Sequence, residues 1–377
     1  MEDELPLPLP DRRVFKANND SSRNVKSHNK RNNNEFTQQS KNSEQKFNEL
    51  KESKLSVMSS AQIMQIEDMR QKILTYKLLS DKMIYLNNNN HNLHKCNIII
   101  FGPPGGGKSS FIKSLYRSLY NISYIPSESI NKLLIRNKYK NEGALLFNQF
   151  HFVIETENNN GIMICDTRGH LKINNDEEEQ NKILFNGEIR DDQQIQQIVN
   201  KNEKALIEFW KKSDESFPKE IFKEKYGDAN IKSIPHSVVF IFDGSTDEII
   251  KKEDTDYYRE LILISKNKGY KDIHVILSNV DKFGEKIYTK YKHLPETEIL
   301  SKLKIMIDIQ IEKVILLLGV KRSNVHFIEN YHSDNQKTNS TEIDYNVLKT
   351  IIDILNSSEL FILDKLNKTQ NCFGFCL

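Results

Sequence analysis

The sequence predicts an α/β protein: a three-layer sandwich around a mostly parallel sheet, preceded by a disordered tail. Three observations carry this reading. From Cys96 onward, short apolar runs alternate with amphipathic stretches of helical period, the pattern of a layered sheet flanked by helices. One pair of strand-like runs is joined by only a few residues, which forces that pair to be antiparallel. The first runs of the chain are too polar to join either layer.

In chain order, residues 1–55 open with Leu5-Pro6-Leu7-Pro8-Leu9-Pro10 and continue in Asn, Ser, Gln and Lys with few apolar side chains. Such a segment buries too little surface to offset its chain entropy, so it is read as a disordered tail. Residues 56–94 form a helical lead-in and linker: Ile63, Ile66, Met69, Ile73 and Leu74 approximate helical spacing before the Asn87–Asn90 run breaks it. The main domain is assigned to 95–358. Strands are expected at 96–101, 149–155, 161–165, 237–242, 273–278 and 324–329, and helices at 109–120, 253–267, 296–317 and 342–356. The runs 149–155 and 161–165 are separated by Thr156–Asn160, too short for a parallel crossover of about a dozen residues. They are therefore expected to form a hairpin. Residues 171–236 lack a strand signal and carry the acidic run Asp176-Glu177-Glu178-Glu179, so they are read as an insertion, largely helical, with a solvated face. Residues 359–377 are left as a C-terminal tail.

Bulk composition narrows the function classes. A net charge of +2 over 377 residues gives no strong field for nucleic acid, and no nucleic-acid partner is expected. The four cysteines form no disulfide framework, which points to a reducing, cytoplasmic compartment. Met1-Glu2-Asp3-Glu4-Leu5 is acidic and unlike a signal peptide, and no apolar run is long enough to span a bilayer. Cys372 and Cys376 lie beside phenylalanines near the C-terminus; acylation there would hold part of the protein at a membrane, against the plainer reading of a small apolar tail.

The chemistry is concentrated in Gly102-Pro103-Pro104-Gly105-Gly106-Gly107-Lys108-Ser109, a complete G-x-x-x-x-G-K-S phosphate loop between a strand-like run and a helix-like run. Successive backbone N–H groups of such a loop wrap a phosphate at the N-terminus of the helix. Lys108 is expected on the β- and γ-phosphates, and the Ser109 hydroxyl on Mg2+, with Ser110 next in the binding loop.

A second motif, Asp166-Thr167-Arg168-Gly169, ends the run 161–165. Asp166 is expected to hold Mg2+ with Ser109, through a water, and Gly169 lets a backbone N–H approach the γ-phosphate. His170 follows at once; it either orients the attacking water or is an exposed loop histidine without catalytic duty. A third motif, Ser278-Asn279-Val280-Asp281, ends the run 273–278, where GTPases usually show N/T-K-x-D. The Asp281 carboxylate suits guanine N1–H and the exocyclic amine, and disfavours adenine, which presents an acceptor at N1 and no amine at C2. Asn279 stands where a lysine usually covers the base plane. The ligand expected is therefore GTP or GDP with Mg2+, on a P-loop GTPase-type sandwich with one antiparallel hairpin strand.

With these pieces in order, the chain resembles the interferon-induced protein 44 family, a group of predicted GTPases distantly akin to septin- and dynamin-like proteins. The resemblance covers about residues 95–358. It lies in Gly102–Phe111, Asp166–Gly169, Ile183-Leu184-Phe185-Asn186-Gly187, His236–Asp243, Leu277–Asp281 and Glu329-Asn330-Tyr331. It implies a cytoplasmic guanine-nucleotide-binding protein, a switch or an assembly protein, with a tie to defence against infection. One departure bears on hydrolysis. No threonine lies between Asn121 and Gln149, where a switch threonine would coordinate Mg2+; Ser127 and Ser129 lie early in that loop. A second subunit in a homo-oligomer is one way to complete such a site. Two other readings stay open: a nucleotide-regulated scaffold with negligible hydrolysis, and an ATP-using P-loop protein.

Overall fold

The computed structural model describes residues 60–79, 93, 95–123, 148–152, 161–167, 184–187, 231–331 and 339–374. Strand β1 (Lys95–Phe101) is buried along nearly its whole length, as a run with apolar side chains on both faces requires of a central strand. Among the described residues the sheet around it has six strands in the order β2-β3-β1-β4-β5-β6. These are β2 (Asn148–Phe152), β3 (Gly161–Asp166), β4 (Ser237–Asp243), β5 (His274–Ser278) and β6 (Val325–Phe327). β1 pairs parallel with β3 and β4, β4 with β5, and β5 with β6. β2 lies at one edge and runs antiparallel to β3, with Asn148 opposite Asp166 and Phe152 opposite Ile162. The turn expected at Thr156–Asn160 falls outside the described residues.

The chain moves one way along the sheet from β1 to β3 and the other way from β4 to β6. Right-handed crossovers then put the helix after β1 and the helices after β4 on opposite faces. The first is α2 (Lys108–Tyr120), which packs with α1 (Ser60–Leu74) and α6 (Thr341–Gly374). On the other side, α3 (Thr255–Asn267) and α4 (Val280–Tyr291) both pack on α5 (Glu296–Leu318). This makes three layers, as expected. The reversal at β1 and β4 opens a crevice at their carboxyl ends, where ligands of such sheets bind.

Several boundaries differ from the sequence reading. The helix α4 was not expected: only Phe283, Gly284 and Ile287 are buried on it, and a central glycine weakens the pattern. The chain does not break at 358 into a tail. Helix α6 runs on through Gly374 because Phe361, Ile362 and Leu366 extend its buried face past Ser357 and Ser358. The lead-in helix α1 belongs to the same apolar core as the sheet, through Ile66, Met69 and Ile73. From the insertion 171–236 the structure describes 184–187 and 231–236. Phe185 packs its ring 5.5 Å from Phe101 and 6.0 Å from Tyr270.

The segment before β4 is stapled to β1 by side chains. Asn97 donates through Nδ2 to the carbonyls of Lys232 (2.8 Å) and Ile234 (3.0 Å). The Asn97 N–H donates to His236 Nδ1 at 3.0 Å, and His236 Nε2–H donates to the Ile231 carbonyl at 2.8 Å. Burial pushes the His236 pKa down to about 4. A neutral histidine pair sits under α6: His274 Nδ1 and His326 Nε2 are 3.1 Å apart, and His274 Nε2 is 2.9 Å from Ser357 Oγ. Burial, then the neighbouring imidazole, pushes His274 down to about 3; burial pushes His326 down to about 4.

Candidate functional site

The phosphate loop leaves the sheet at Gly102, pressed against β4. A Cβ on Gly102, whose φ is +146°, would lie 2.1 Å from the Ile241 carbonyl oxygen. Only glycine permits that approach. The loop closes through the Gly106 N–H, which donates to the Pro103 carbonyl at 3.1 Å. Pro103 and Pro104 are half-buried, and Gly105 forms the exposed tip. At Gly107 (φ +100°) the chain enters α2 with no side chain to cap the first turn, which also holds no acidic residue. The leading N–H groups of that turn therefore face no competing side-chain anion from their own helix, the arrangement an anion needs.

Lys108 is buried and folded back over the loop. Its ammonium donates to the carbonyls of Gly102 (2.8 Å) and Pro103 (3.0 Å), which hold a positive charge at the loop mouth. Ser109 donates through Oγ to Asp166 Oδ2 at 2.8 Å, and both residues are almost wholly buried. The first and second motifs therefore meet at this hydrogen bond. Thr167 fixes the end of β3: its hydroxyl donates to the Ile100 carbonyl at 2.7 Å. Ser110 lies in the first turn of α2, where its carbonyl accepts from Ser114 Oγ at 2.9 Å. Arg168, Gly169 and His170 lie outside the described residues, as do Ser127 and Ser129.

The third motif reaches the loop through one hydroxyl. Ser278 Oγ lies 2.9 Å from the Gly106 carbonyl and 3.2 Å from the Phe242 carbonyl, with its proton to donate to either. A Cβ on Gly107 would stand only 2.7 Å from the same oxygen. Loop and strand end are thus in direct contact, and alanine at Gly107 would drive them apart. Asn279 takes a left-handed conformation (φ 62°) and heads α4, which puts Asp281 in the first turn of that helix. Asp281 is half-buried beside the crevice.

Two further residues join this constellation; both lie in stretches quoted above for the resemblance, but neither was given a site role of its own. Asp243 ends β4 beside the loop and accepts at Oδ1 from the Ser245 N–H (2.9 Å) and hydroxyl (2.7 Å). Burial alone would raise its pKa. Hydrogen bonds from Asn279 and Ser245, with the nearby Lys282 charge, outweigh that and hold it below the ordinary carboxylate value. An apolar strand ending in a carboxylate was the available signal. The second is Asn330, which sits just past β6 with none of its surface exposed. Its neighbour Tyr331 donates its N–H to Ser114 Oγ of the loop helix at 2.8 Å.

Tyr331 is also the hub of a buried polar chain. The Arg117 guanidinium lies 3.8 Å over its ring, and its hydroxyl donates to Asp344 Oδ1 at 2.9 Å while accepting from the Ser340 N–H at 2.7 Å. Asp344 also pairs with Arg70 of α1 at 3.4 Å, and Arg70 Nε donates to the Ser118 carbonyl at 2.8 Å. Burial, and then the Asp344 charge, raises the Tyr331 pKa.

No family model matches the chain, and no curated protein matches it. Solved structures do. Toc33 from Arabidopsis thaliana, as a dimerization-deficient mutant, is 13% identical over 80% of this chain and 94% of that one, with a TM-score of 0.37. Nucleolar GTP-binding protein 1 from Plasmodium falciparum is 18% identical over 77% and 100%, with a TM-score of 0.31. The GTPase-like domain of S. cerevisiae Ski7, bound to GTP, is 15% identical, with a TM-score of 0.34; this chain aligns over 62% of its own length and 42% of that chain. At such identities and TM-scores these overlaps carry nothing about ligand or activity. The fold rests on the chain's own features: among the described residues, the strand order, the antiparallel edge strand β2 and the phosphate loop make it a three-layer α/β sandwich of the P-loop GTPase type.

Proposed function

We propose that the chain binds a guanine nucleotide, GTP or GDP, with Mg2+ at the loop Gly102–Ser109. The observation that carries the reading is the meeting of three motifs at one loop. Ser109 joins it to Asp166 at 2.8 Å and Ser278 joins it to the Asp281 segment at 2.9 Å. Lys108 and the N–H groups at the start of α2 would take the phosphates. Asp281 would take the Watson–Crick edge of guanine.

Ser109 and Asp166 suit Mg2+: both offer hard oxygen atoms, side by side and buried, next to the phosphate cradle. Mg2+ bound there would neutralise charge on the β- and γ-oxygens. Among the described residues no cluster of three His, Cys, Asp or Glu side chains stands ready to hold a metal.

Hydrolysis of GTP to GDP and phosphate is the proposed reaction, with His170 as the residue to orient water. The absence of any threonine between Asn121 and Gln149 favours a second reading, a nucleotide-regulated scaffold that hydrolyses negligibly. The narrower family reading, the interferon-induced protein 44-like group with its tie to defence, rests on the quoted motifs alone. The cytoplasmic location rests on the cysteine usage, and the attachment of part of the protein to membranes on Cys372 and Cys376 near the C-terminus. Cys372 falls within α6 and Cys376 outside the described residues. Identical distribution of wild type and a Cys372/Cys376 double-serine variant on fractionation would remove the membrane idea.

The deciding experiment is competition of fluorescent GDP by GTP, GDP and ATP, with and without Mg2+. Guanine nucleotides should displace it and ATP should not; equal competition by ATP would sink the assignment. Phosphate release over a range of protein concentrations separates the two readings of the γ-phosphate. A rate per molecule that rises with concentration supports catalysis in a homo-oligomer, and no release at any concentration supports the scaffold.

A further inference from the structure

We infer that Asp243 is a positioning residue for base recognition: it holds Asn279, and through Asn279 it aims the carboxylate of Asp281. The inference rests on the nucleotide reading above and names what orients its base-reading turn. Asn279 stands where a lysine usually covers the base plane. Its short side chain turns to β4 instead and donates to the Asp243 carboxylate. Asn279 is buried and takes the left-handed conformation, φ 62°. A residue with a Cβ stores strain in that region and stays there when its surroundings hold it. Asp243 supplies that hold from the adjacent strand, where it lies opposite Ser278, the residue before the turn.

Asp243 is itself fixed. Its Oδ1 accepts from the Ser245 N–H at 2.9 Å and the Ser245 hydroxyl at 2.7 Å, closing a tight turn just past β4. Three successive carbonyls of that turn accept from the two helices beside it. Lys286 of α4 donates to Ser245 at 2.6 Å, Gln310 of α5 to Thr246 at 2.9 Å, and Lys313 of α5 to Asp247 at 3.4 Å. Between them the Gly244 N–H and the Ser278 carbonyl join the two strand ends at 2.9 Å. The segment that grips Asn279 is thus anchored to both helices and to the strand that carries the base-reading turn.

Asp281 follows Asn279 by two residues, in the first turn of α4. A change in the Asn279 backbone therefore swings the start of α4 and the carboxylate with it. A pair of hydrogen bonds from one carboxylate to one base edge tolerates little error in aim. Asp243 has no need to touch the ligand for this. Its charge is answered within the protein, by the Asn279 and Ser245 donors and the nearby Lys282. A carboxylate satisfied in this way supports its neighbour and leaves the base to Asp281.

The test uses GDP, inosine diphosphate and tripolyphosphate as competitors of fluorescent GDP. Inosine lacks the exocyclic amine and forfeits one of the two bonds to Asp281; tripolyphosphate has no base and reports the phosphate loop alone. Wild type should bind GDP about tenfold more tightly than inosine diphosphate, the size of one hydrogen bond to a charged group. Asp243→Ala should cut that preference to about twofold and leave tripolyphosphate affinity within about twofold of wild type. Asn279→Gly breaks the same bond from the other side while accepting the left-handed backbone freely. It should behave alike, and it keeps the test open if Asp243→Ala folds poorly. The two changes together should cost no more than either alone, because both remove one interaction. Variants that keep the full preference for GDP overturn the inference. So does a loss of tripolyphosphate affinity as large as the loss for GDP, or a double variant whose losses add. A wild type that does not bind GDP, or does not prefer it to inosine diphosphate, overturns the nucleotide reading itself, which separates the two failures.

Discussion

The Ser278 hydroxyl lies 2.9 Å from the Gly106 carbonyl, so the end of β5 is fastened directly to the phosphate loop. Replacing Ser278 by alanine removes that bond and leaves a buried carbonyl underused. The loss should be about 1 kcal/mol, or roughly fivefold in nucleotide Kd. Titration calorimetry with GDP checks it, alongside circular dichroism to show an intact fold; unchanged affinity would mean the fastening is idle.

Lys108 and Asp281 should fail in different ways. Lys108→Ala removes the cation at the loop mouth and should abolish triphosphate binding. Asp281→Ala should keep phosphate affinity and lose base choice, narrowing the GTP over ATP preference by roughly 10-fold to 100-fold. Competition assays on both variants measure this, and a loss of base choice in Lys108→Ala alone would reverse the assignment.

Ser109→Ala should uncouple nucleotide binding from Mg2+. The hydroxyl is one of the two protein oxygens beside the cradle and is bonded to the other, on Asp166. Its removal should cut the Mg2+-dependent gain in affinity by about 10-fold to 100-fold, the range for lost metal-site partners. Affinity measured in EDTA should stay close to wild type.

Tyr331→Phe keeps the ring beneath Arg117 and deletes the hydroxyl shared by Asp344 and the Ser340 N–H. Leaving those buried groups short of a partner should cost about 1–3 kcal/mol. Thermal unfolding should move down by several degrees, which scanning calorimetry would detect.

Acid should destabilise the fold early. Burial holds His236, His274 and His326 neutral, at about 4, 3 and 4, whereas in the unfolded chain each takes up a proton near pH 6.5. Between those values the unfolded state binds more protons, so stability is full above about pH 6.5 and falls as pH drops toward 4. Each histidine contributes a slope of up to about 1.4 kcal/mol per pH unit in that window. Denaturant midpoints at a series of pH values from 7.5 downward should decline, and a flat profile would contradict the neutral, buried assignment.

Much of this arrangement is legible in the residues. β1 and its loop are read correctly because glycines at fixed spacing between a buried run and a helix leave few alternatives. The Ser109–Asp166 contact follows from motif order. What was not legible is what depends on partners far along the chain. Helix α4 has too few buried positions to announce itself. The serines at 357 and 358 break the apolar stripe of α6, yet Ser358 satisfies its hydroxyl on the Ile354 carbonyl and Ser357 serves His274, so the helix continues. Asn330 is polar and next to a loop, a poor candidate for full burial until β6 is seen against the phosphate loop.

The contact of α1 with the rest of the molecule has a practical consequence. A truncated chain beginning at β1, where the motifs start, would lose Arg70 and with it the cation facing Asp344 and the donor to Ser118. It would also lay bare the apolar surface of α2 and α6 that Ile66, Met69 and Ile73 cover. The minimal unit worth expressing for nucleotide studies therefore starts ahead of Ser60, and a shorter version that precipitates would say nothing about the ligand.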